Sequence, residues 1–196
     1  MHARGSEGFK VKKPYIAVFG ISNKHGRKGY SFFADYDNEP LSIVKFRAKR
    51  VLKESGAPYA AIIQSNKKHY HLYVPGFFQA DEVMRLFWHA KCDPWYSAFF
   101  MKHRRNVLRW TKKERTEPVM RCIWEERRDS DLKIPLELCV MLDELFNCNT
   151  PRSNLYANTS IEFSEYRMRP NGRKYYNKFL SPKGLNKRVK EVLRIG

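Results

Sequence analysis

Tyr59-Ala60-Ala61-Ile62-Ile63-Gln64-Ser65-Asn66-Lys67-Lys68-His69-Tyr70-His71-Leu72-Tyr73-Val74 decides the fold: an apolar run, a polar turn and a second apolar run. Tyr59–Gln64 and His69–Val74 read as strands, Ser65-Asn66-Lys67-Lys68 as the turn between them, and Pro75-Gly76 as the end of the second strand. Upstream, Pro40 stands where a helix takes its first turn. Val44, Ala48, Val51, Leu52 and Ser55 then fall on one helical face, and Gly56 suits the C-terminal cap. Downstream, residues 79–90 read as another helix through Val83, Leu86 and Phe87.

Working outward, Tyr15-Ile16-Ala17-Val18-Phe19 is a strand, followed by a loop rich in glycine and cations up to Gly29. Tyr30-Ser31-Phe32-Phe33-Ala34 is the next strand and runs into Asp35-Tyr36-Asp37; these two strands are expected to pair as a hairpin. Arg121-Cys122-Ile123-Trp124 reads as a strand. Pro135 opens a helix carrying Leu136, Val140, Leu142, Leu145 and Phe146, which Asn147 or Asn149 closes. Pro170-Asn171-Gly172 marks a hairpin between Ile161–Met168 and Arg173–Phe179. Pro182–Ile195 reads as a basic amphipathic helix. The pattern is α+β, with β-β-α-β-β elements in the first half.

The length of 196 residues suits one domain with a small appendage, and 42% hydrophobic with 14% aromatic residues excludes a wholly disordered chain. No apolar run approaches the roughly 20 residues that cross a bilayer. Met1–Phe9 lacks the apolar centre of a signal peptide. A soluble, cytoplasmic protein without a membrane partner is expected. Residues 1–13 are basic and expected to be flexible. Thirty-eight Lys and Arg against 20 Asp and Glu leave a net charge of +18, which points to a polyanion, nucleic acid first. Cys92, Cys122, Cys139 and Cys148 show no C-x-x-C spacing and are read as free thiols in a reducing compartment.

Two constellations carry chemistry. Asp35 and Asp37, two apart on a strand, project from one face, and a divalent cation relieves the repulsion between such carboxylates. The plainer reading is an exposed Asp-x-Asp preparing a turn, with Asn38 beside it. His69 and His71 also share a strand face, and the preceding turn offers the Ser65 hydroxyl and the Lys67 and Lys68 ammonium groups. That mix suits phosphate oxygens; the plainer reading is a polar hairpin turn with one satisfied histidine.

Together the two constellations resemble the archaeo-eukaryotic primase superfamily, the primases, primase-polymerases and repair polymerases. Asp35-Tyr36-Asp37 occupies the position of the family's acidic pair. Ser65 to His71-Leu72-Tyr73-Val74 resembles its Ser-to-His motif, with His71 at the histidine position. Asp93-Pro94, followed by Arg105-Asn106-Val107-Leu108-Arg109-Trp110, is similar to the third acid and the Arg-containing strand after it, although Ala90-Lys91-Cys92 is not the usual apolar strand. Glu125, after Arg121–Trp124, is the alternative third acid. The resemblance covers roughly residues 15–113.

The resemblance implies an RRM-like antiparallel sheet with packed helices, in which the acidic pair and His71 lie on adjacent strands. A catalytic core over 14–130 would be followed by a C-terminal extension over 131–196 with a helix, a hairpin and a basic helix. It implies a template-dependent nucleotidyltransferase, a primase or DNA polymerase, that uses two Mg²⁺ or Mn²⁺ ions about 3.5–4 Å apart held by Asp35, Asp37 and Asp93. Ser65, Lys67, Lys68, His71, Arg105 and Arg109 would bind nucleotide phosphates. The partners implied are a single-stranded or primed DNA template, nucleoside triphosphates and other replication proteins. Such compactness suits a virus- or plasmid-encoded enzyme.

Two alternatives stand beside it. His69-Tyr70-His71 also resembles the His-hydrophobic-His motif of the HUH nicking endonucleases of rolling-circle replication. Tyr175 and Lys178 would there be the nucleophile and its Tyr-x-x-Lys partner. That motif usually lies on a helix, where residues three apart share a face, whereas Tyr175 falls on a hairpin strand here. The other alternative is a non-catalytic binding module, with the basic runs Lys102–Arg115 and Arg167–Arg194 and with Trp95, Tyr96, Phe99, Phe100, Trp110, Tyr175 and Tyr176 as stacking candidates.

Overall fold

The computed structural model describes residues 16–109, 122–127, 129–146, 148, 156–157, 163–168 and 174–180. The chain runs β1 (Ile16–Ser22), β2 (Tyr30–Asp37), α1 (Leu41–Ser55), β3 (Tyr59–Asn66), β4 (His69–Phe78), α2 (Ala80–Ala90) and α3 (Pro94–His103). It continues through β5 (Val107–Arg109), β6 (Cys122–Glu126), β7 (Ile134–Pro135), α4 (Leu136–Phe146), β8 (Tyr156–Ala157), β9 (Phe163–Met168) and β10 (Lys174–Leu180). Residues 1–13, the Pro170-Asn171-Gly172 turn, the 182–195 helix and the basic run beyond Arg109 lie outside the described residues.

The architecture is α+β, with two antiparallel sheets ordered β2-β4-β3-β6 and β10-β9-β1-β5 and a short parallel pair, β7-β8. In the first sheet, β4 lies between β2 and β3, so α1 crosses over β4 to join two strands that both pair with it. Strand alternation sends Phe32, Ala34 and Tyr36 of β2, with Tyr70, Leu72 and Val74 of β4, into one core with Val44, Ala48, Val51 and Leu52 of α1 and Val83, Leu86 and Phe87 of α2. Each of the Val, Leu and Phe side chains among them contributes about 1.5–3 kcal/mol on burial.

Helix α1 carries the boundary signals expected of it, and α2 adds one that the sequence reading did not name. Pro40 precedes α1, and Gly56 ends it in the left-handed conformation at φ 70°, its amide bonding the Leu52 carbonyl. Gln79 and Glu82 close a reciprocal capping box on α2. The helix opened by Pro135 is present as α4, and β9 and β10 form the antiparallel pair expected around residues 170–172. Strand β9 also pairs with β1 across nearly the whole chain length.

The structure corrects four expectations. First, β1 and β2 are not a hairpin: they meet only at their connecting turn, where Ser31 donates to the Asn23 carbonyl, and then diverge into different sheets. Strand β1 is taken by β5 and β9, and the buried Asn23, His25 and Ser31 side chains hold the turn where the strands part. Second, Pro75-Gly76 does not end β4. The Ser31 hydroxyl donates to the Gly76 carbonyl and accepts from its amide, at 3.2 and 3.3 Å, so the strand passes through a bulge and continues to Phe78. Third, Asp93-Pro94 begins a ten-residue helix, α3, that the strand-based reading lacks. Fourth, the cysteines are not all free: Cys148 is disulfide-bonded, while Cys92 and Cys139 are free thiols pushed up to about 12 by burial. No helix among the described residues is long and apolar enough to cross a membrane.

Candidate functional site

Strands β2 and β4 pair in a register that sets Asp35 opposite His71 and Asp37 opposite His69. Opposed residues of an antiparallel pair project on the same face, and here that is the face turned away from α1 and α2. His69 Nδ1 lies 2.5 Å from Asp37 Oδ1, and His71 Nε2 lies 3.7 Å from Asp35 Oδ1. A carboxylate only accepts, so the proton of the shorter contact resides on His69 Nδ1. Exposure grades along the pair of strands: 54% and 33% for the Asp37 and His69 side chains, 30% and 6% for those of Asp35 and His71. The outer pair is open to water and the inner pair stands where the core begins.

Beneath them the same face becomes aromatic. Phe33 and Tyr73 pack edge to face at 4.7 Å, and Phe146 of α4 approaches Tyr73 at 6.2 Å. Helix α4 also reaches β3, where the Tyr59 hydroxyl and the Cys139 thiol lie 3.4 Å apart. One end of the face is thus covered by α4, and at the other the outer pair, Asp37 with His69, reaches solvent. The Tyr73 hydroxyl is fully buried with no hydrogen-bond partner among the described residues; burial first, and the Asp35 charge second, push its ionisation well above the usual phenol range.

The β3–β4 turn brings the phosphate-binding candidates to the open end. Ser65 occupies a bulge between Gln64 and Asn66 and donates to the His69 carbonyl at 3.4 Å. Lys67 and Lys68 form the exposed turn, with Lys68 at φ 60°. The Lys68 carbonyl accepts from the Glu39 amide at 3.1 Å, which ties the turn to the chain just after Asp37. Arg105 is half-buried ahead of β5, and Arg109 lies in β5, in the other sheet.

The two candidates for a third acid separate. Asp93 stands at the free edge of β2, its amide donating to the Asp35 carbonyl at 3.1 Å. Its carboxylate accepts from the Trp95 amide at 2.8 Å and caps α3. Glu125 pairs with Ala60 on β3 and so faces the helices, where Lys45 and Lys49 of α1 bind it at 3.2 and 3.6 Å. As an alternative ligand beside Asp35 and Asp37, Glu125 is on the wrong side of the sheet.

Asp35 and Asp37 offer hard carboxylate oxygens on one face, the donor type that Mg²⁺ and Mn²⁺ prefer. His69 reaches Asp37 and His71 reaches Asp35, each contact made through one carboxylate oxygen. Among the described residues no group of three His, Cys, Asp or Glu side chains is gathered closely enough to hold an ion. The pair therefore fits a metal in chemistry, with a substrate phosphate or water required to complete it. The His69–Asp37 contact and the buried Tyr73 hydroxyl were not among the expected site groups, although His69, His71 and Tyr73 stand at alternate positions of one strand. Comparison of the chain with protein-family models, with curated proteins and with solved structures gives no match.

Proposed function

We propose that the protein is a template-dependent nucleotidyltransferase of the primase-polymerase type. The observation that carries this reading is the register of β2 on β4, which faces two carboxylates with two histidines at the open end of an otherwise packed sheet. The β2-α1-β3 crossover around β4 supports the RRM-like core expected for it, with β6 added beside β3. In this reading Asp35 and Asp37, with Asp93 at the neighbouring edge, hold Mg²⁺ or Mn²⁺. Such ions lower the pKa of an attacking hydroxyl and neutralise charge on a triphosphate. The chain's own groups bind and orient: His71 and Ser65 donate to phosphate oxygens, Lys67 and Lys68 bring charge to the same mouth, and Arg105 and Arg109 add guanidinium forks.

The nicking alternative gains one observation, the shared face of His69 and His71. It is weakened by the partners of both histidines, which are Asp37 and Asp35. Tyr175, its nucleophile, lies in strand β10 at a bulge.

One reaction tests the choice: full-length protein, a labelled primer on a single-stranded DNA template, all four dNTPs or NTPs, and Mg²⁺ or Mn²⁺. Primase-polymerase activity gives a ladder of longer products that EDTA abolishes. D35N and D37N are each expected to reduce it by about a hundredfold or more with the fold retained, since both side chains are partly exposed. A shortened strand, or label trapped on protein and lost in Y175F, would replace this reading with the nicking one.

A further inference from the structure

Helix α3 divides its aromatic residues sharply. It buries Phe100 and packs Tyr96 against Phe87, yet Trp95 is 83% exposed and Phe99 44%. Residues four apart on a helix are neighbours about 5–6 Å apart, so Trp95, Phe99 and His103 form one outward row. The His103 ring packs on Phe99 at 4.3 Å and 38°, which steadies the row. Trp88, on the last turns of α2, is 78% exposed, and it and Trp95 are the most exposed large apolar side chains among the described residues.

Cations predominate along the segment that carries these rings, although Glu54 of α1 lies 3.6 Å from His89 beside Trp88. Between Val83 and Arg105 the chain has Arg85, Lys91, Lys102, Arg104 and Arg105 against the single acid Asp93, whose carboxylate is already engaged as the helix cap. A single exposed apolar residue is ordinary, but aromatic rings rimmed by cations describe an interface. Cations select a polyanion. Flat exposed rings select bases whose faces are free, which a duplex does not offer.

From this we infer that the outer face of α3, together with Trp88, is a stacking surface for single-stranded nucleic acid. Trp95 and Phe99 take bases, while Arg85, Lys91, Lys102 and Arg104 meet phosphates. The binding is independent of any catalysis. Its meaning as a template track rests on the proposed function: Asp93 joins the start of α3 to the edge of β2 at Asp35, so a strand lying on α3 arrives at the acid pair.

The test is a titration of the full chain with fluorescein-labelled oligo-dT of about 20 nucleotides, in EDTA and without nucleotide, at several salt concentrations. Trp95→Ala and Phe99→Ala are each expected to weaken binding by about 5–100-fold, with Trp95→Phe within about threefold of wild type. Their salt slope should match the wild-type slope, whereas Lys102→Gln with Arg104→Gln should lower it by about 1.4. Wild-type affinity in both alanine variants, at unchanged melting temperature, overturns the inference. So does a result in which Trp95→Ala breaks self-association of the chain but leaves oligo-dT affinity intact. A wild-type protein that extends no primer while Trp95→Ala still loses binding sinks only the catalytic reading.

Discussion

The Asp93 amide donates to the Asp35 carbonyl at 3.1 Å, so the residue that caps α3 also closes the outer edge of the strand bearing the acid pair. Asp93 therefore has two separable jobs. Its side chain caps a helix by accepting from the Trp95 amide, and its backbone amide closes the strand edge at Asp35. Asn caps as well as Asp but carries no charge. Asp93→Asn should keep stability within about 0.5 kcal/mol and lose about a hundredfold in primer extension if the charge assists metal binding. Asp93→Ala should in addition lose about 1 kcal/mol from the missing cap. Thermal unfolding and extension assays on both variants separate the roles, and full activity in Asp93→Asn would leave the residue a helix cap alone.

Glu125 supplies the contrasting case. Its register partner Ala60 belongs to the helix-side core, and its carboxylate meets Lys45 and Lys49 across from the acid pair. Glu125→Gln should leave primer extension and metal dependence unchanged. The cost is about 1 kcal/mol of stability, because the glutamate is buried but both lysines reach solvent. A loss of extension comparable with that of D35N, at equal melting temperature, would restore Glu125 as a ligand.

What the sequence made legible follows the range of the interactions. The boundaries of α1, the helix over 79–90, the helix behind Pro135 and the two strands flanking Ser65–Lys68 depend on near neighbours, and each is found as expected. The alternation of Asp35 with Asp37 and of His69 with His71 is likewise local. Which pair faces which depends on how β2 slides against β4, and a shift of one residue would send the carboxylates to the other face. The separation of β1 from β2 was illegible for the same reason, because β1 finds β9 far along the chain. Pro75-Gly76 misleads because its bulge is completed by a hydroxyl from another strand, Ser31. Helix α3 is different: Asp93 as N-cap with Pro94 at the first position is a start signal, masked by treating Asp93 only as an acid.

The turn from β1 to β2 makes a prediction about backbone conformation. Gly29 has φ 126°, and a Cβ there would meet the Phe78 carbonyl oxygen at 2.7 Å. Gly26, in the same turn, has φ 58° with open space around it. Gly29→Ala should cost about 2–3 kcal/mol, from strain and a backbone that cannot yield. Gly26→Ala should cost only about 1 kcal/mol. Urea unfolding of the two variants measures the difference; equal losses would mean that the close approach of Gly29 to Phe78 is unimportant.

Within that turn, His25 ties stability to pH. Its side chain is buried at 1% exposure, Nε2 lies 2.7 Å from the Ser31 hydroxyl, and Nδ1 has no hydrogen-bond partner among the described residues. Burial lowers its pKa from 6.5 to about 4. Between those values the unfolded chain takes up a proton that the folded chain refuses, so the sign is fixed: stability is whole above pH 6.5 and falls as pH drops toward 4. The slope approaches 1.4 kcal/mol per pH unit, giving roughly 2 kcal/mol between pH 6.5 and 5, before most carboxylates begin to titrate. His25→Gln keeps an amide near the Nε2 position but has no proton to gain. The variant should be less stable overall, through lost packing against Phe77, yet flatter than wild type over that window. Urea midpoints measured from pH 7.5 to 5 decide the matter: parallel curves for the two proteins would show that His25 is not the group responsible.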